Sequence, residues 1–328
     1  MISIVMPAKN AAPFLSECLQ SIINQSFEIW ELIVINDHST DQTREILELN
    51  STKDPRIKWF DAEGVGIIQA LRQAYRHTSG SYVTRMDADD IMSQTKLEEM
   101  LEVLTQKGAG HVAIGLVSYF SDSTLGDGYK KYAQWLNGLT MTQTNYTQIY
   151  KECVIPSPCW MCAKEDFDKS GGFSEDVYPE DYDLCFRFRN AGLQIAAVPK
   201  VLHYWRDHQT RASRNDPNYK DNSFINLKIK HFVETDLNSD STTIVWGAGR
   251  KGKRIIQQLL VHEKDVKWIC DNPNKIGKDI YGVFVQDDKS IESILKAQVI
   301  VAVANPEEQR PIREYLMKKT QLEPFFFC

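Results

Sequence analysis

Tyr82-Val-Thr-Arg-Met-Asp-Ala-Asp-Asp-Ile91 joins a run of strand-forming residues to three acids, Asp87, Asp89 and Asp90. A polar turn follows, and a helical pattern begins near Thr95. Carboxylates crowded at the end of a buried strand repel one another and are poorly solvated, so they call for a neutralising cation. A hard, oxygen-seeking ion such as Mg2+ or Mn2+ meets that need and keeps positions that phosphate oxygens can fill. The plainer reading is a solvated acidic turn capping the next helix, and the flanking chain separates the two.

Upstream, strand and helix patterns alternate, which predicts an α/β layer structure with a mainly parallel sheet. Ile2–Met6 reads as a first strand, Pro7-Ala8-Lys9-Asn10 as the loop at its end, and Leu15, Cys18, Leu19, Ile22 and Ile23 as the buried face of a helix. Glu31–Ile35 is a second strand ending in Asn36-Asp37, and Ser39-x-x-Gln42 predicts a capping box for the next helix. Arg56–Phe60 is a third strand, followed by Gly64-Val65-Gly66 and a helix with Ile67, Ala70, Leu71, Ala74 and Tyr75 on one face. Tyr82–Met86 is the fourth. Open α/β sheets bind ligands beyond the carboxyl ends of their strands, so Asp37 and the Asp87–Asp90 cluster are expected to edge one crevice suited to a nucleotide diphosphate with its metal. The bland alternative for Asp37 is an ordinary turn residue.

Composition narrows the function classes. With 328 residues, 42% hydrophobic and 25% charged, the chain has material for a sizeable core and about two domains, which argues against disorder. A net charge of −6 gives no sign of a nucleic-acid binder. Met1 leads straight into the first strand with no signal-like leader, and no apolar run is long enough to cross a bilayer. Seven scattered cysteines suit a reducing, cytoplasmic setting. Cys159 and Cys162 with nearby Cys153 could hold a metal, but they lack a second pair and read as buried thiols.

Met6-Pro7-Ala8-Lys9-Asn10, Ile35-Asn36-Asp37-His38-Ser39-Thr40-Asp41 and Arg85-Met86-Asp87-Ala88-Asp89-Asp90 resemble, in order and spacing, the successive motifs of family-2 glycosyltransferases with the GT-A fold. Gly171-Gly172-Phe173 with Glu180-Asp181-Tyr182-Asp183-Leu184 resembles that family's acceptor-side motif, and His203-Tyr204-Trp205-Arg206-Asp207-His208 its loop over the diphosphate. The resemblance covers about residues 1–215 and is specific as a set. It implies that Pro7, Asn10, Asp37 and Asp87 line the donor nucleotide, with Asp37 on the base and Asp87 near the ribose. It implies Asp89 as the principal metal ligand, with Asp87 and His208 in the same shell and Asp90 supporting it. Arg206 and His208 would contact the diphosphate. Arg72 departs from the family pattern, which has asparagine there, and offers a phosphate or sugar contact or simply a solvated side chain.

The resemblance further implies an inverting transfer in which a carboxylate takes the acceptor's proton as the metal steadies the leaving diphosphate. Asp181 matches that base and Glu180 is its nearest rival. A helix over 181–190 would place Asp181 near a helix amino terminus, whose dipole favours the ionised form. The alternative is that both acids merely suit a first helical turn. Tyr129, Tyr132, Trp135 and Tyr146 read mostly as packing residues, with one or two as acceptor contacts.

Beyond a linker over 216–240 with a helix near Phe224–Phe232, Thr243–Trp246 reads as a strand running into Gly247-Ala248-Gly249-Arg250-Lys251-Gly252. A helix and a second strand ending at Asp271 follow, giving the dinucleotide-binding fingerprint in its strand–turn–helix context. Gly247, Gly249, Gly252 and Asp271 therefore mark a second nucleotide site, with Arg250 and Lys251 as helpers; the same glycines also serve tight packing alone. Later strands are expected at Gln298–Ala304 and Pro324–Phe327, after which the chain stops short of a two-half dehydrogenase.

The expectation is a GT-A α/β domain over 1–215, a helical linker over 216–240 and a small Rossmann-like α/β domain over 241–328. Its function is transfer from a nucleoside diphosphate sugar, with Mn2+ or Mg2+, to a glycan or lipid-linked acceptor in surface glycan assembly. No nucleic-acid partner is expected, and there is room for peripheral membrane association and homo-oligomers. A nicotinamide oxidoreductase or a noncatalytic nucleotide-binding protein would explain the later glycines but leaves Asp87–Asp90 and Asp181 without a task.

Overall fold

Strands Ile2–Ala8 (β1), Trp30–Asn36 (β2), Ile57–Asp61 (β3) and Tyr82–Arg85 (β4) run parallel in the order β3-β2-β1-β4. The computed structural model describes residues 1–121, 126–174, 176–215, 217–219, 224–262 and 265–328. β1 and β2 are apolar along nearly their whole length because both faces are covered, as a parallel sheet with helical crossovers requires. The helices Ala12–Ile23 (α1), Thr43–Lys53 (α2) and Ile67–Arg76 (α3) lie between these strands in the chain. Leu15, Cys18, Leu19 and Ile22 of α1 are buried, and α3 buries Ala70, Leu71 and Ala74. Glu31 is the buried exception in β2. Burial pushes its carboxyl up, but Ser79, Ser3 and Lys58 donate to it and hold it at about 2.

After β4 the parallel pattern breaks. Ile91–Met92 (β5), His111–Phe120 (β6), Trp160–Ala163 (β7) and Gln194–Arg206 (β8) complete the order β3-β2-β1-β4-β7-β6-β8-β5. β7 is antiparallel to both β4 and β6, and β5 pairs antiparallel with β8 through Ile91↔Tyr204 and Met92↔His203. That last pairing carries the end of β8 to the acid cluster. Helices Lys96–Lys107 (α4), Asp127–Thr142 (α5), Lys164–Lys169 (α6) and Glu180–Asn190 (α7) connect these strands, and a short turn of helix, Ala212–Asn215 (α8), follows β8. Ile4, Met6, Leu19, Val34, Met100 and Trp205 lie in the core.

Two local expectations are corrected. β1 continues through Pro7 to Ala8, since its pairing with β2 extends to Ala8↔Asn36. The cap of α2 is not Ser39 with Gln42. Asp41 accepts from Thr43 N–H at 3.0 Å and, with its other oxygen, from Ala12 N–H at 3.0 Å, so one carboxylate serves the starts of α2 and α1. Ser39 accepts instead from Asn10 N–H at 2.9 Å.

The chain separates into two compact units, Met1–Thr147 with Cys153–Lys220, and Gln148–Glu152 with Asp221–Cys328. The second contains helix Ile225–His231 (α9) from the expected linker, of which residues 216 and 220–223 lie outside the described residues. Its strands Thr242–Trp246 (β9), Val266–Cys270 (β10), Asp279–Ile280 (β11), Val283–Asp287 (β12), Ala297–Val301 (β13) and Phe325–Phe326 (β14) lie in the order β11-β12-β10-β9-β13-β14. All but β11 run parallel. Arg250–His262 (α10) follows β9 and Pro306–Thr320 (α11) follows β13. The sequence β12-β10-β9-β13 is that of a Rossmann-type sheet around its switch point. All seven cysteines are reduced, six of them buried, and among the described residues no helix is long and apolar enough to cross a membrane.

Candidate active site

The loops at the carboxyl ends of β1, β2 and β4 build one edge of the site. Asp37 follows β2 and is buried; its carboxylate accepts from Gly66 N–H at 3.2 Å and from Lys9 Nζ at 3.5 Å. Gly66, with φ of +96°, has a backbone shape that favours glycine, and a Cβ there would lie 3.1 Å from the Tyr178 hydroxyl. Asn10, with φ of +49°, spends its side-chain oxygen on Thr40 N–H at 2.8 Å, so it shapes the loop after β1. Asp37 and Asp87 end strands separated only by β1, which sets them about 10 Å apart on one sheet edge.

The three acids after β4 have different partners. Asp87 accepts from Arg85 Nε at 2.7 Å, and Arg85 Nη1 reaches Glu180 Oε1 at 2.9 Å. Asp89 Oδ2 lies 2.9 Å from His208 Nε2, whose ring packs on Phe14 with centroids 4.4 Å apart. Asp90 is wholly internal: Oδ1 accepts from Arg206 N–H at 2.8 Å and Oδ2 contacts His203 Nε2 at 2.9 Å. Burial and the neighbouring charge of Asp89 push Asp87 and Asp90 up. Asp89 is also raised by burial, but the His208 hydrogen bond and the Arg211 charge outweigh it and hold it below the usual range. Of the three, Asp89 is the acid whose charged form its surroundings favour over the ordinary carboxylate.

His203 in turn approaches Lys96, whose Nζ lies 3.4 Å from His203 Nδ1 and donates to Pro158 O at 3.0 Å. Burial first, then the Lys96 charge, drive His203 well below its ordinary value, so the imidazole is neutral. A neutral ring has one donor, and the two contacts assign it: Nε2–H donates to Asp90 while Nδ1 accepts from Lys96.

The other wall is α7. Asp181 lies in its first turn, as expected, but its surroundings oppose the ionised form that the helix dipole favours. Burial and the adjacent Glu180 raise it to about 7 against the opposing pull of Arg85. Glu180 is occupied on both oxygens, by Arg85 and by the Tyr219 hydroxyl at 3.0 Å. Asp181 accepts from Tyr182 N–H at 2.8 Å and has no ion-pair partner among the described residues, so its carboxyl can exchange a proton near neutrality.

Three residues of the expected site have partners within the protein. Arg72 donates to Phe173 O at 3.0 Å, Ser174 O at 2.9 Å and Asp176 at 2.8 Å, fastening α3 to the chain at Phe173 and Ser174. Arg206 donates to Asp89 O at 2.9 Å, pairs with Glu17 and lies over the Phe14 and Phe120 rings, so it holds the acid loop. Asp87 Oδ1 is engaged by Arg85, and among the described residues no three His, Cys, Asp or Glu side chains converge as ligands.

Asp89 and His208 remain as a donor pair of oxygen and nitrogen. Asp89 supplies the carboxylate oxygen that Mg2+ or Mn2+ favours, and the His208 nitrogen lies 2.9 Å from it in a direct hydrogen bond. Arg211 places its charge beside Asp90 and Asp89 and was not anticipated; nor were Arg85, Lys96, His203 and Tyr219. Of these, Arg85 and His203 stood inside motifs the sequence singled out, without a role of their own. In the second unit, Gly247, Gly249 and Asp271 line a cavity of about 660 Å³, and Gly252 lies in the first turn of α10.

A family model described as Glycosyl transferase family 2 matches residues 3–171. A Haemophilus influenzae protein named an uncharacterized glycosyltransferase is 31% identical over 219 residues, 65% of this chain and 67% of its own length. Streptococcus pneumoniae glycosyltransferase GlyA is 33% identical over 39% of this chain but only 19% of its own. The putative teichuronic acid biosynthesis glycosyltransferase TuaG of Bacillus subtilis is 31% identical over 38% of this chain and 50% of its own. This chain thus spans well under two thirds of GlyA and TuaG. Among solved structures, S. aureus TarS 1–349 in complex with UDP-GlcNAc matches with a TM-score of 0.58 at 17% identity, over 79% of this chain and 71% of that one. The mannosyltransferase PcManGT of Pyrobaculum calidifontis, in complex with GDP-Man and Mn2+, matches with 0.52 at 18% identity, over 79% and 68%. At these identities the likeness is one of fold.

Proposed function

The chain belongs to glycosyltransferase family 2, and from that membership we propose that it moves a sugar from a nucleoside diphosphate sugar to a hydroxyl of a glycan or lipid-linked acceptor, with inversion and with a divalent ion. The observation that carries the reading is the division of labour among four carboxyls: Asp87 and Glu180 neutralised by Arg85, Asp89 ionised beside His208, and Asp181 poised at about 7. A transferase needs that separation, one charge for a metal and one base for a proton.

In this proposal Asp37 takes the donor base and Asp89 with His208 holds Mg2+ or Mn2+, the choice between them left to measurement. When bound, the ion stabilises charge on the departing diphosphate. Arg211 adds positive charge on the same side. Asp181 receives the acceptor's proton as its hydroxyl attacks the anomeric carbon from the face opposite the leaving group. Arg85 fixes the acid loop to α7, so nucleotide side and acceptor side keep their spacing. UDP-GlcNAc and GDP-Man in the neighbouring structures, and Mn2+ in one of them, support this donor class and ion type. TuaG's name supports an assembly role in surface glycans.

Release of nucleoside diphosphate from a panel of nucleotide sugars, with Mn2+ or Mg2+ and with Asp89→Ala and Asp181→Ala alongside, tests the reading without knowledge of the acceptor. Metal-dependent release or binding of one donor, lost in Asp89→Ala, supports it. A chain that binds no nucleotide sugar with either metal would sink it.

A further inference from the structure

The glycine-rich turn of the second unit has a construction that the transferase site does not use. Its three glycines answer to different constraints. Gly247 has φ of +115°, a shape that favours glycine, and its carbonyl is held by Trp268 Nε1–H at 2.9 Å. Gly252 admits no side chain, because a Cβ there would lie 2.0 Å from Gly247 O; this lets α10 sit on the turn. Gly249 has neither reason. Its backbone is not left-handed, and a Cβ would meet nothing within 4 Å. At a helix start Ser, Asp or Asn would cap as well or better and would fit that space. What glycine provides there is unobstructed backbone facing open space.

That space is the cavity of about 660 Å³, a volume ordinary for small-molecule sites. It sits where the strand order reverses, walled by residues that follow β9, β10 and β13. The backbone ladder of α10 begins with Lys253 N–H donating to Gly249 O at 3.0 Å, so the amides of the first turn have no intrahelical acceptor and the helix presents its positive end. Arg250, Lys253 and Lys275 line the cavity, and none has an acidic partner among the described residues. Asp271, the residue after β10, lines it from the neighbouring strand.

We propose that the second unit holds a separate site for a ribonucleoside 5′-diphosphate group, its phosphates on the Gly247–Gly252 turn and its ribose hydroxyls on Asp271. The amides and three cations supply the anion site; the carboxylate accepts from vicinal hydroxyls and repels a 2′-phosphate. Nucleoside diphosphates and NAD+ share this chemistry. The site is independent of the transferase reading.

Calorimetric titration of the full chain in EDTA, with ADP, UDP, GDP, CDP, NAD+ and NADP+ in turn, tests the proposal. One site per chain is expected for at least one ligand with an unmodified ribose, with NADP+ at least tenfold weaker than NAD+ where NAD+ binds. Preference for a free diphosphate or for NAD+ names the source. Gly249→Asp is the discriminating variant: it caps α10, so the melting temperature does not fall, but its charge meets the phosphates and weakens binding at least 100-fold. Asp271→Ala, at an exposed position, weakens binding at least tenfold. Asp37→Ala with Asp89→Ala leaves this site unchanged. Absence of binding by the whole panel, binding indifferent to both Gly249→Asp and Asp271→Ala, or binding lost with the Asp37 and Asp89 substitutions overturns it.

Discussion

Arg85 Nη1 lies 2.9 Å from Glu180 Oε1, and this buried ion pair joins the end of β4 to the start of α7 across 95 residues of sequence. The same guanidinium holds Asp87, so removing it strands two buried carboxylates. Arg85→Met is expected to cost about 3–5 kcal/mol in denaturant unfolding, the range for breaking a buried pair from one side. Glu180→Gln keeps the Tyr219 contact and leaves Arg85 paired with Asp87, so its cost should be smaller, about 1–3 kcal/mol. Equal costs for the two would show that Arg85 does not bridge them.

Why Arg85 escaped sequence reading is physical. An arginine in a strand next to acids reads as a local, solvated charge, and its second partner lies in a distant helix. Lys96 is similar: at the start of α4 it looks exposed, yet it is buried against Pro158 and His203, the latter 107 residues on. Both depend on β7 inserting antiparallel between β4 and β6 and on β5 pairing with β8, long-range pairings that no periodicity announces. The first four strands were legible because each is an apolar run ending at a turn, and their parallel order put Asp37 and Asp87 on one edge as expected. The protein partners of Arg72 and Arg206 were not legible either, since a guanidinium satisfies a carbonyl as readily as a phosphate.

Asp181 sets a pH dependence. As the proposed base it must be deprotonated, so transfer should rise with pH through about 7, and Asp181→Asn should be nearly inactive with that limb missing. The stability sign is opposite. A carboxyl raised on folding binds its proton more tightly in the native state, so wild-type stability falls as pH climbs from about 4, the unfolded value, to about 7, and is flat above. Asp181→Asn lacks this fall. Urea unfolding of both proteins at pH 4.5 and pH 8 checks it; a wild-type stability relative to Asp181→Asn that is no lower at pH 8 than at pH 4.5 would contradict the raised carboxyl.

Lys96→Met tests the internal chain behind the acid loop. It fills the same volume but removes the donor to Pro158 O and His203 Nδ1, leaving buried acceptors unmet at about 1–3 kcal/mol. Hydrogen exchange should show the loss around β5 and the end of β8, because His203 and Asp90 tie those strands together. Protection unchanged there, with destabilisation elsewhere, would place Lys96 outside the chain.

Gly252→Ala tests the second unit's architecture apart from any ligand. A methyl group 2.0 Å from Gly247 O cannot be accommodated, and the carbonyl cannot swing away while Trp268 donates to it and Gly247 N–H donates to Ile269 O at 2.9 Å. Either α10 lifts from β9, exposing Ile255, Ile256 and Leu259, or the turn gives up those bonds. Overpacking of a tight site costs about 1–3 kcal/mol, and here the clash is with backbone, so the upper end is expected. Hydrogen exchange should speed up in β9 and α10 while β1–β4 keep their protection. Gly249→Ala, where a Cβ meets open space, should change exchange little, and a loss equal to that of Gly252→Ala would mean that the two glycines answer to the same packing constraint.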